Sequence, residues 1–219
     1  HTSRITLFRD GDRIDLSNRI TQNFTATQRW GFSFALTSPT LTHEELGTVL
    51  TGKLSSAGGH YAPSFARYDL LTLNHFADLA ESSGYGVTIS SADCSFMTRG
   101  SSTAGSLDTS TPAITVIAGG QVVNGSNGLP AQAGDTSFTQ RFALRTHGPS
   151  NQAGAMRASM EHQNPPWCGL VTGTAPALPA NSLSFFASSN PDVMIHVVKP
   201  AEDGPAAPDG PLTLRLWNL

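Results

Sequence analysis

Apolar and polar residues alternate along this chain in short runs cut off by Gly, Pro, Asn or Ser, the pattern of half-buried strands joined by turns. In residues 137–145, Phe138, Phe142 and Leu144 point one way while Thr139, Arg141 and Arg145 point the other. Leu212, Leu214 and Leu216 repeat the alternation against Thr213 and Arg215. Similar signals predict strands over 4–8, 13–20, 31–36, 48–54, 86–89, 113–117, 182–186, 193–198 and 212–217. Turn residues predict loops over 55–59, 100–111, 124–134, 149–154 and 204–210. Helical stripes are weak. Leu73, Phe76, Ala77 and Ala80 share a helical spacing, but Ser82-Ser83-Gly84 ahead of the strand at 86 favours a hairpin. The expected fold is all-β, a layered antiparallel sandwich with little helix, and residues 1–219 read as one domain.

Composition agrees with many strands and turns: 21 Gly, 14 Pro, 38% hydrophobic and 13% charged residues, about half the usual charged share. A net charge of -3 without a Lys/Arg cluster argues against nucleic acid. No apolar run reaches the roughly 20 residues of a membrane span, so the chain reads as soluble, with no visible address and the cytoplasm as one suitable compartment. Cys94 and Cys168, too few for a disulfide framework, read as buried thiols. The start at His1 and the end on LTLRLWNL suggest an excerpt from a longer polypeptide.

Catalytic chemistry finds little footing. A glycosidase needs two facing carboxyl groups, roughly 5–5.5 Å apart for retention or 6.5–9.5 Å for inversion, and no spacing among the 16 acids nominates a pair. Asp69, Asp78, Asp93 and Asp135 lie among apolar or aromatic residues but read as turn and cap acids. The histidines lack metal-ligand spacing, apart from the option that His1 offers copper its amine and imidazole together.

Four passages go further: LNHFADLAESSGYGVTISSADCSFMTRG (73–100), TSFTQRFALRTHG (136–148), SMEHQNPP (159–166) and the closing stretch from Asn190, with its KPAEDG and LTLRLWNL. In order and spacing they resemble the C-terminal region of glycoside hydrolase family 38, the α-mannosidase family, in its bacterial branch. The departures are Thr146 before His147, Pro166-Trp167 in place of Leu, and His75 in place of Arg, and they concern substrate detail. The resemblance implies a galactose-mutarotase-like β-supersandwich that follows an N-terminal α/β barrel holding zinc and an aspartate nucleophile. None of the barrel motifs occurs in this chain, so it is expected to carry no catalytic residue, metal or cofactor of its own. By itself it is expected not to hydrolyse α-mannosides. Its implied partners are that catalytic domain and a carbohydrate substrate. Two clusters are the candidates for touching sugar: Tyr61, Arg67, Tyr68 and Asp69, and His162 and Asn164 with Gln163 between them. Glu202 and Asp203 read as turn and strand-end anchors. The rival readings are a free-standing carbohydrate-binding module or mutarotase-like enzyme, and a copper monooxygenase built on His1.

Overall fold

Strands form where the alternation is clearest, and every strand pair among the described residues is antiparallel. The computed structural model describes residues 1–24, 26–118, 135–149, 152–169, 183–201 and 210–219. They fall into two compact units, His1–Asn164 and Pro165–Leu219, where the sequence read as one domain.

In the first unit the strands are β1 (Thr2–Leu7), β2 (Arg13–Ile20), β3 (Arg29–Ser33), β4 (Thr40–Glu45), β5 (Thr48–Thr51), β6 (Leu71–Thr72), β7 (Phe76–Ala80), β8 (Gly86–Ser91), β9 (Phe96–Arg99), β10 (Ala113–Ile117) and β11 (Phe138–His147). Seven of them make one sheet, β1-β2-β11-β8-β7-β4-β5, and four make a second, β3-β10-β9-β6. Leu41, Leu79, Ile89 and Phe142 of the first sheet share one buried cluster with Phe32, Met97, Ile114 and Val116 of the second, so the unit is a β-sandwich. Phe32 meets Phe142 edge to face across that core, ring centroids 5.1 Å apart.

One helix, α1 (Gln152–Gln163), packs on β7, β8 and β11. It covers the far face of the large sheet, because Ser90, whose neighbour Ile89 faces the core, approaches the Ser159 carbonyl of the helix. All six residues of β8 are consequently buried.

The expected hairpin forms: β7 and β8 pair through the turn after Ala80, so the helical spacing at 73–80 belongs to strand. Predicted strands 13–20 and 113–117 appear with those bounds. No strand forms over the described residues 183–186 of the run predicted at 182–186. The chain that was expected to loop through 149–154 is helical from Gln152. The loops at 124–134 and most of 204–210, and the anchors Glu202 and Asp203, lie outside the described residues. Cys94 is buried as expected, but Cys168 is exposed.

The second unit contains an antiparallel ribbon, β12 (Val193–Pro200) with β13 (Leu212–Asn218), with a bulge between Ile195 and Val197. Its alternation is as read, yet Leu212, Leu214 and Leu216 stand exposed rather than half-buried. No helix among the described residues is long and apolar enough to cross a membrane.

Candidate functional site

The loop between β5 and β6 carries the first predicted cluster, and its two tyrosines point into the sandwich. Tyr61 and Tyr68 are only 8% and 5% exposed. The Tyr61 hydroxyl donates to His43 Nε2 at 2.6 Å. His43 Nδ1–H donates to the Thr72 carbonyl at 2.7 Å, which fixes the tautomer that can accept from Tyr61. Burial pushes the Tyr61 phenol up and the His43 imidazole down, so both are neutral partners. Tyr68 donates to the Ala62 carbonyl at 2.6 Å. Neither ring presents a face to a ligand. Arg67 grips Asp69 through Nε and Nη2 at 2.7 and 3.0 Å, and this hydrogen-bonded guanidinium holds the Asp69 carboxyl below its ordinary range. The aromatic that this loop exposes is Phe65, held at φ 59° and fully solvated.

The second predicted cluster closes α1. His162 Nδ1 lies 3.0 Å from Ser90 Oγ, and burial lowers the pKa of the ring. Gln163 Nε2 donates to the carbonyls of Asn74 and Ser91, both at 2.7 Å, and so ties the helix to the ends of β7 and β8. Asn164 returns its backbone N–H (2.8 Å) and its Nδ2 (3.1 Å) to the Met160 carbonyl, and Pro165 follows where a helix cannot continue. Tyr61 and Tyr68 belong to the core on one face of the large sheet while His162 and Asn164 lie on the other, so the clusters do not form one site.

Of the acids that the sequence singles out, Asp69, Asp78 and Asp93 are held by structural partners, whereas Asp135 is exposed. Asp78 Oδ1 accepts from Thr88 Oγ1 at 2.7 Å and pairs with His147 Nε2 at 2.8 Å. Asp93 takes a bidentate grip from Arg141 and also the Arg141 backbone N–H. Burial raises Glu44, but donation from His75 at 2.8 Å and from the Gly47 N–H outweighs it, leaving the carboxyl below its ordinary value. Asp108 is treated likewise: Thr111, Ser101 and Ser110 donate to it, overcome its desolvation and hold it well below the carboxylate range. That carboxylate organises the loop predicted at 100–111. Among the described residues, no group of three or more His, Cys, Asp or Glu is placed to hold a metal ion.

A cleft that sequence reading missed lies where β2 ends and β3 begins. Its volume is about 340 Å³, and its lining includes His1, Gln22, Asn23, Gln28, Arg29 and Trp30. The His1 ring stands edge-on to Trp30, with centroids 5.8 Å apart. Asn23 Nδ2 donates to the Asp135 carbonyl at 2.7 Å, and Arg29 Nη1 to Thr98 Oγ1 at 2.8 Å. Trp30 Nε1–H is shielded from solvent without an acceptor. Trp30 fell next to a predicted strand as an ordinary apolar residue. In the fold it shares a cleft with the amide-rich segment after β2 and with the ring of His1.

Compared with models of known protein families and with curated proteins, the chain matches none.

Proposed function

We propose that this chain is the C-terminal, carbohydrate-associated β-region of an α-mannosidase-like glycoside hydrolase, a galactose-mutarotase-like supersandwich that packs on a separate catalytic barrel. The observation that carries the reading is the fate of the carboxylates: Asp69, Asp78 and Asp93, three acids that the sequence singles out, are each bound to a structural cation, imidazole or hydroxyl partner. Such acids hold a scaffold together, and retaining hydrolysis needs instead a nucleophile and a proton donor facing one bond. Where they lie among the described residues, the passages that resemble the family fall on β7 to β9, β11, the end of α1 and the β12–β13 ribbon. Zinc would belong to the barrel. The region is proposed to be soluble.

The test is hydrolysis of an aryl α-mannoside, with and without zinc, by the native polypeptide that contains this chain and by residues 1–219 alone. Zinc-dependent turnover by the first and none by the second is expected. Turnover by residues 1–219 that is lost on Asp69→Asn or Asp93→Asn would overturn the reading, as would a native polypeptide with no barrel.

A further inference from the structure

The Trp30 cleft has a chemistry that the predicted clusters lack. It combines two rings meeting edge to face, His1 and Trp30, with the amides of Gln22, Asn23 and Gln28. Among the described residues, no hydrogen bond occupies the side chains of Gln22 and Gln28, which are exposed, so their donors and acceptors face solvent and a ligand alike. The cation on the cleft wall is already engaged. Arg29 donates to Thr98, and its charge also acts on Asp69. An apolar ring surface bordered by uncommitted amides suits a ligand with an apolar face and a rim of hydroxyls. A volume of about 340 Å³ accommodates one or two small rings.

We infer that this cleft is a binding subsite for a neutral pyranose, in which Trp30 presents the stacking surface and Gln22 and Gln28 hydrogen-bond the ring hydroxyls. The inference rests on the carbohydrate-associated reading and gives it a location.

The test is titration of the full chain with methyl α-mannoside and with a mannose disaccharide. Heat is one readout, and tryptophan fluorescence in a Trp167→Phe/Trp217→Phe background, where Trp30 is the remaining indole, is the other. A dissociation constant on the order of 1 mM is expected for a single ring. Trp30→Ala should weaken binding at least tenfold. Because Trp30 also packs against the core, the double variant Gln22→Ala/Gln28→Ala, confined to exposed side chains, should weaken it at least fivefold with an unchanged circular dichroism spectrum. Binding that survives both variants would overturn this site and leave the wider reading standing. Folded protein that binds neither sugar would overturn it too, and the hydrolysis assay on the native polypeptide then decides the wider reading separately.

Discussion

At the scale of single residues, the apolar core also encloses polar groups that have to be satisfied. His43 is fully buried, and both of its ring nitrogens are satisfied, one by Tyr61 and one by Thr72. Tyr61→Phe leaves Nε2 without its donor and should cost about 1–3 kcal/mol in urea denaturation. Arg67→Ala, at a solvent-screened surface pair, should leave the urea midpoint nearly unchanged. The pH dependence follows from burial. His43 and His162 are both held below their ordinary value by desolvation, so the unfolded chain binds more protons than the folded one once pH falls below about 6.5. Stability is then complete above that value and is lost as pH drops through it. The urea midpoint should be lower at pH 5.5 than at pH 7.5, and His43→Gln should reduce the difference.

At the scale of elements, β8 is the most constrained strand, flanked by β7 and β11 and covered on both faces. Gly86 begins it, where a Cβ would come within 2.5 Å of the Leu79 carbonyl oxygen and 2.7 Å of the His147 ring. Those neighbours are a ladder carbonyl and a ring held by Asp78, so neither yields cheaply. The helix that covers β8 hangs on Gln163, whose amide serves two backbone carbonyls. Gln163→Ala strands both and should destabilise the protein by about 1–3 kcal/mol, with amide exchange accelerated along α1. Glu161→Ala, on the exposed side of the same helix, should stay within about 0.5 kcal/mol.

At the scale of the whole molecule, the two units have unequal means of folding. The main buried cluster, from Phe32 to Phe142, lies entirely within His1–Asn164. Among the described residues, the strands of the second unit make one two-stranded ribbon, with Leu212, Leu214 and Leu216 exposed. A ribbon of that kind is marginal in water. Residues 1–164 expressed alone should therefore unfold cooperatively with a β-type circular dichroism spectrum. Residues 165–219 alone should show no cooperative transition, and a sigmoidal melt from that piece would contradict the assignment of the core.

Period-two alternation was enough by itself to settle the fold class and the position of most strands, because a strand with one wet face writes its geometry directly into residue order. Strand β4 escaped because its buried side chains include His43 and Glu44, which are hidden only because Tyr61, Thr72, His75 and Gly47 reach them. Helix α1 escaped because it buries small residues, Ala153, Ala155 and Ser159 beside Met156, which mark no apolar stripe. The candidate clusters 61–69 and 162–164 were legible as dense polar and aromatic sequence, but residue order carries no information about which way those side chains turn. Packing turned both tyrosines inward, left Phe65 outside, and assembled the Trp30 cleft from the chain start and two strand ends. Contacts between residues far apart in sequence made those choices, and such contacts exist only once the sheets have closed.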